Sequence, residues 1–258
     1  MPTYLDAILA AHRAAAAADG RTLGELLAWT AGLDPTRGFA DALRAEGLSV
    51  IAEVKRRSPS KGDLAVDLVP EELAAAYEAG GAACMSVLTD TEFFGGSAAD
   101  LRAARRACTL PVLRKDFTVD ERDVVEARTM GADALLLIVA ALDDDELRQF
   151  HDRATSLGLD VLVEVHDERE LERALAVGAT VVGVNQRDLT TFAVDHDLAA
   201  RLRPLMPSGV VTVAESGVRD GDDARRLADA GYDAILVGET LVTAADPIVA
   251  LKELRACS

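Results

Sequence analysis

The sequence predicts a closed α/β barrel of eight strand–helix units preceded by a helical segment, and three observations point there. Eight short apolar runs recur from Ser49 onward, each followed by a polar loop and an amphipathic helix. Their starts lie some twenty to thirty-odd residues apart, the length of one strand plus a crossover helix. No G-x-G-x-x-G turn follows the first run, as an open doubly wound sheet would need. A (β/α)8 TIM barrel with an N-terminal helical extension satisfies all three.

Residues 1–48 form the extension, packed on the barrel. Tyr4 to Ala18 is alanine-rich, Thr22 to Trp29 opens with a capping pattern from Thr22 to Glu25, and Phe39 to Ala45 follows Pro35 and Gly38. The pattern suits a lid or a cover for one barrel end. Residues 49–258 supply the barrel, one domain overall. Its strands read SVIAEVK from Ser49, ACMSVLT from Ala83, PVLRKDF from Pro111, DALLLIVA from Asp133, DVLVEVH from Asp160, TVVGVNQ from Thr180, VVTVAES from Val210 and DAILVG from Asp233. The helices between them stop at Gly80, Gly131, Gly158, Gly178 and Gly231, as left-handed C-terminal caps would, and Pro70 suits a first helical position.

Composition narrows the function classes. A net charge of −17 repels nucleic acid and anionic membranes, and no apolar run approaches the ~18 residues of a membrane span. The first twenty residues carry Asp6, His12 and Arg13 and read as an amphipathic helix, not a signal peptide, which places the chain in the cytoplasm. Cys84, Cys108 and Cys257 lack zinc-ligand spacing and read as reduced, structural thiols; the four histidines are scattered, so neither metal nor cofactor is expected. Of 27 basic residues only Lys55, Lys61, Lys115 and Lys252 are lysines, and three of these sit where strands end. Lysine, unlike arginine, can take part in proton transfer once burial moves its pKa.

In a barrel of this kind chemistry belongs at the C-terminal strand ends. Collected there are Glu53 and Lys55, Lys115 with Arg114 and Asp116, Glu164, Asn185 with Arg187, and Glu215 with Ser216. Period-2 alternation puts Glu53 and Lys55 on one face, Lys115 with Leu113 and Phe117, Glu164 with Leu162, Asn185 with Val181 and Gly183, and Glu215 with Val211 and Val213. Any one of these pairs reads equally well as a structural salt bridge. Three carboxylates and two ammonium groups converging on one mouth are costly unless they pair, and as a set they suit general acid–base chemistry.

Ala214 to Gly217 and Val237 to Thr240 end the last two strands, where such barrels hold a phosphate on backbone amides. Ser216, Gly217, Gly238 and Glu239 are the candidates. Arg187 with Ser58, Ser60 and Lys61 suits a second anion such as a carboxylate. Phe93, Phe94 and Phe117 suit an apolar wall for a flat ring.

The motifs IAEVKRRSPSKG, LTDTEFFGGS, VLRKDF, VLVEVHD, VGVNQRDL, VAESGV and LVGETLV, in this order and spacing over essentially the whole chain, resemble the indole-3-glycerol phosphate synthase family. The departures are small, Gln186 and Thr240 standing where Asn or Ser and Ser are more usual. The resemblance implies cofactor-free closure of 1-(2-carboxyphenylamino)-1-deoxyribulose 5-phosphate to indole-3-glycerol phosphate, with loss of carbon dioxide and water, in tryptophan biosynthesis. It implies Lys115 as general acid on the ribulose carbonyl and Glu164 handling a proton in the dehydration, with Lys55 and Glu53 positioning and polarising. Asn185 and Glu215 would orient the hydroxyls and the amine. Ser58 and Arg187 would face the ring carboxylate, Phe94 and Phe117 the ring, and Ser216, Gly217, Gly238 and Glu239 the phosphate. The expected partner is that small phosphorylated aromatic amino-sugar, the chain being a monomer or in transient contact with the next enzyme of the pathway. Two alternatives use the same residues: an aldolase-type barrel forming a Schiff base on Lys55 or Lys115 with a ketose phosphate, and a non-catalytic barrel that binds a sugar phosphate.

Overall fold

The computed structural model describes residues 3–256. Eight parallel strands close on themselves: β1 (Ser49–Val54), β2 (Cys84–Leu88), β3 (Val112–Lys115), β4 (Ala134–Ile138), β5 (Asp160–Val165), β6 (Val181–Asn185), β7 (Val211–Glu215) and β8 (Ala234–Val237). Closure is made by β1, which pairs with β8 through Ser49 opposite Ala234 and with β2 through Ile51 opposite Cys84. All eight predicted runs are strands, each trimmed by a residue or more where the chain leaves the ladder.

Alternation along the strands sorts the core into two shells. Outward residues such as Val50, Met85, Val112 and Leu135 pack under the surrounding helices. Inward residues Ile51, Leu113, Leu136, Leu162, Val213 and Leu236 fill the barrel interior. Cys84 and Cys108 are buried free thiols, and Cys257 lies outside the described residues.

The extension covers both ends of the barrel, not one. Helix α1 (Tyr4–Ala18), capped by a Thr3–Asp6 capping box, lies over the C-terminal mouth, where Tyr4, Leu5 and Ile8 form part of a cavity wall. Helix α2 (Leu23–Ala28) starts at the expected Thr22–Glu25 box. Helix α3 (Phe39–Ala42), shorter than predicted, plugs the opposite end, where Phe39, Ala40 and Leu43 join the interior cluster. The plug is fastened through strand-initial carboxylates: the Arg37 amide donates to Asp133 at 2.7 Å and the Ala40 amide to Asp160 at 2.9 Å. Complete burial of Phe39 contributes roughly 2–3 kcal/mol to holding it.

The outer helices are α4 (Pro70–Gly80), α5 (Ala98–Ala107), α6 (Glu121–Met130), α7 (Asp144–Ser156), α8 (Glu168–Ala176), α9 (Leu198–Leu202), α10 (Gly221–Asp229), α11 (Glu239–Val242) and α12 (Pro247–Arg255). One expected cap is displaced. Gly80 is the last helical residue of α4, and Gly81 takes the left-handed turn at φ 86°. Gly80 is required for contact instead, since a Cβ there would sit 2.8 Å from Leu251 Cδ1. Gly131, Gly158, Gly178 and Gly231 all follow their helices with positive φ.

Candidate active site

One pleat repeat above the apolar interior, toward the C-terminal strand ends, the inward positions turn polar. Glu53, Lys115, Glu164, Asn185 and Glu215 arrive there from β1, β3, β5, β6 and β7, and line a cavity of about 660 Å³. Lys55, Ser58, Lys61, Phe94, Phe117, Arg187, Ser216, Gly217, Gly238 and Glu239 line the same cavity. Phe93 does not: it packs edge-on against Tyr4, ring centroids 5.8 Å apart, and braces α1. Arg114 also turns away, since on β3 it alternates with the inward Leu113 and Lys115 and points outward to Asp116 at 3.0 Å and to the Asp123 carbonyl.

The polar floor is a connected chain around Lys115 with a separate Glu53–Lys55 pair beside it. Lys115 Nζ donates to Glu164 Oε2 at 2.9 Å and lies 3.3 Å from Glu215 Oε2. Asn185 Nδ2 donates to Glu164 Oε1 at 3.1 Å, and Asn185 Oδ1 accepts from Ser216 Oγ at 2.8 Å and from the Arg187 amide at 3.1 Å. Lys55 bonds to Glu53 across one strand repeat, as the alternation predicts. Tyr77 in α4 donates to the Glu53 carbonyl at 2.9 Å and fixes the end of β1.

These contacts separate the protonation states. Burial disfavours charge on Lys115, yet Glu164, Glu215 and Glu53 outweigh it, so its pKa rises and the ammonium persists. Burial pushes against the Glu164 carboxylate too, but Lys115, His166 and the Asn185 hydrogen bond win, and its pKa falls. For Glu215 burial prevails over Lys115, with Glu164 and Glu53 adding to it, so its pKa rises. Its Oε1 has no hydrogen-bond partner among the described residues. The floor therefore holds a loaded acid, an ionised carboxylate and a carboxyl biased toward its protonated form.

Two glycines make room for these groups. A Cβ on Gly183 would lie 2.1 Å from Glu215 Oε1, and one on Gly238 would lie 2.4 Å from Glu53 Oε1 and 2.9 Å from Lys55 Nζ. On one side of the cavity the loops after β7 and β8 meet. Ser216 adopts φ 66°, an uncommon conformation for a side-chain-bearing residue, and Gly217 follows at φ 80°. The Thr240 hydroxyl ties these loops by donating to the Val218 carbonyl at 2.7 Å. Gln186 donates to the Ser216 carbonyl at 2.8 Å. Lys61 lies 3.6 Å from Glu239, on the side of the β8 loop. Phe94 and Phe117 face one another with centroids 6.1 Å apart.

A family profile described as indole-3-glycerol phosphate synthase matches residues 5–254. The chain belongs to that family. A curated indole-3-glycerol phosphate synthase of Nocardioides sp. is 57% identical over 233 residues, 90% of each chain. One from Mycobacterium avium is 52% identical over 254 residues, 98% of this chain and 93% of its own. Among solved structures, thiamine phosphate pyrophosphorylase from Pyrococcus furiosus superposes with a TM-score of 0.61 at 19% identity, covering 81% of this chain and 95% of its own. At that identity the likeness shows the barrel alone.

Two histidines near the mouth of the barrel, scattered in sequence, are not isolated in space. His12 of α1 reaches across to Asp90 after β2, Nε2 to Oδ2 2.9 Å, and lies 3.9 Å from Asp116 after β3. These three residues bring metal-ligating atoms within 4.8 Å of one another, which linear spacing could not reveal. They already bond to protein groups: Asp90 accepts the Phe93 and Phe94 amides, and Asp116 accepts Thr89 and Arg114. His166, directly after β5, stands 3.5 Å from Glu164 Oε1 and 3.0 Å from Glu170.

Proposed function

We propose that the chain closes 1-(2-carboxyphenylamino)-1-deoxyribulose 5-phosphate to indole-3-glycerol phosphate, releasing carbon dioxide and water, as a carboxy-lyase of tryptophan biosynthesis. The observation that carries this reading is the Lys115–Glu164–Asn185 chain at the cavity floor, with a raised lysine pKa beside a lowered carboxylate pKa. The ring carbon bearing the carboxylate attacks the ribulose carbonyl, and the Lys115 ammonium protonates the oxygen as it becomes an alkoxide. An alkoxide is a far stronger base than an amine, so a tightly held lysine proton still transfers. Carbon dioxide departs and its bonding pair restores the aromatic ring. The new hydroxyl then leaves as water after protonation, and the Glu164 carboxylate takes the proton from the neighbouring carbon, completing the indole.

Lys55 and Glu53 position the ketose chain, while Asn185 and Glu215 orient its hydroxyls and amine. Ser58 and Arg187 receive the ring carboxylate, with Phe94 and Phe117 against the ring. Ser216, Gly217, Gly238 and Glu239 hold the phosphate through backbone amides, and the placement of Lys61 beside Glu239 adds its charge there. Among the described residues no helix is long and apolar enough to cross a membrane, and Cys84 and Cys108 are free thiols; we place the chain in the cytoplasm.

A Schiff-base mechanism needs a neutral lysine, and the carboxylates around Lys115 favour its ammonium. Incubation with the phosphorylated substrate, followed by indole fluorescence and borohydride quenching, tests the reading. Indole product without a lysine adduct is expected. A covalent adduct formed during turnover, or no indole product, would contradict it.

A further inference from the structure

The reaction proposed above has a proton balance that the cavity must meet. Its substrate carries an ionised carboxylate and loses it as neutral carbon dioxide. Two protons go onto oxygen, one onto the closing alkoxide and one onto the departing hydroxyl, and one proton returns to Glu164 from the carbon next to the one that loses the hydroxyl. One proton per turnover is therefore drawn from solution. Glu164 is 1% exposed at the cavity floor, and bound substrate would separate it further from bulk water.

His166 is built to bridge that gap. Its backbone amide donates to Glu170 Oε2 at 2.8 Å, and ring Nδ1 lies 3.0 Å from the same oxygen. An ionised Glu170 thereby fixes the proton on Nδ1, and leaves Nε2 as the titrating atom. Nε2 is buried, has no hydrogen-bond partner among the described residues and faces Glu164 Oε1 at 3.5 Å. The ring is absent from the cavity wall and is 15% exposed, so it stands behind Glu164 and nearer to solvent. Glu164 itself is the branch point, with Lys115 on Oε2 and both Asn185 and His166 toward Oε1.

We propose that His166, held by Glu170, is a positioning residue behind Glu164 through which the proton consumed in each turnover enters the site. A proton on Nε2 passes to the Glu164 carboxylate, and a turn of that carboxyl group hands it on to the Lys115 amine left neutral by the first transfer; a turn of the imidazole ring, whose side chain is 15% exposed, then brings Nε2 to water for reprotonation. The charged groups around the ring are Glu164 of β5, Glu170 of α8, Glu215 of β7 and Asp188 after β6, all acidic. Burial opposes charge on His166, but Glu170, Glu164 and Glu215 outweigh it and keep its pKa above the usual histidine value, so the donor form is available near neutrality.

Two variants of the full chain test this. His166→Asn can keep a hydrogen bond to Glu170 but has no titrating Nε2, and His166→Ala leaves space for added imidazole. A direct proton-transfer group typically contributes ~10²–10⁴ in rate, and a group acting through another is expected to give about tenfold or more in kcat, with KM little changed. The wild-type kcat should decline on the alkaline side, whereas His166→Asn should start lower and lose that limb; imidazole should restore His166→Ala. Wild-type kcat in either variant would overturn the relay. So would a loss that leaves the wild-type pH profile intact or ignores imidazole. If the alanine chain fails to fold, the pH profile of His166→Asn decides alone. Absence of indole product from the unaltered chain would overturn the parent reading and the relay with it.

Discussion

Glu215 shows how a single side chain can be set against the stability of the fold. It is buried, one oxygen has no hydrogen-bond partner among the described residues, and its pKa is raised above the ordinary carboxylate value, burial being the largest cause. In the unfolded chain a glutamate ionises near 4.3. Above that pH and up to the raised folded value, the native state keeps a proton that the unfolded state has lost. Stability from this group is thus fully present at acid pH and is lost as pH rises through the folded pKa. Glu215→Gln removes the titration. Relative to wild type it should gain stability from about pH 5 to about pH 9, on the order of 1 kcal/mol or more, since each unit of raised pKa corresponds to about 1.4 kcal/mol. Denaturant unfolding of both chains at the two pH values checks this; a constant difference would contradict the assignment.

At the scale of elements, α1 is the part whose placement matters most to the site. It lends Tyr4, Leu5 and Ile8 to the cavity wall and is fastened by His12 to Asp90 and, more distantly, Asp116. Burial works against charge on His12, but the Asp90 hydrogen bond and the charges of Asp116, Asp90 and Asp123 prevail and raise its pKa. A raised histidine contributes stability below its unfolded value of about 6.5 and loses it as pH rises through the folded one. His12→Ala should therefore lower the melting temperature more at pH 6 than at pH 9 and should raise KM as α1 loosens. Equal losses at both pH values, measured by thermal melts, would show that His12 acts through packing alone. The alanine-rich pattern of α1 announced a helix but not which mouth it would cover, because His12 and Asp90 are 78 residues apart and only tertiary packing joins them.

Across the whole molecule, the barrel and most of its polar floor were legible because strand parity converts directly into direction. Leu113 and Lys115, or Leu162 and Glu164, must share a face once their runs are strands, and closure turns five shared faces into one cavity. Less could be read where geometry depends on loops. Phe93 and Phe94 are neighbours, yet one braces α1 and the other faces the cavity, and Lys61 meets Glu239 across more than 170 residues of sequence. Glycine placement was similarly blurred at the Gly80–Gly81 doublet, where contact with Leu251 and chain reversal fall to different residues. His166 lay four residues from Glu170, a local spacing that could have drawn notice, but its approach to Glu164 needed the strand end and the helix together.

The floor depends first on Lys115 as the proton donor, so the most direct measurement is indole formation by Lys115→Ala alongside substrate affinity. Turnover should fall by about 10²–10⁴, the usual contribution of a general acid, while the substrate still binds through the phosphate loops. Turnover within a few-fold of wild type would contradict the role of Lys115 and the mechanism built on it.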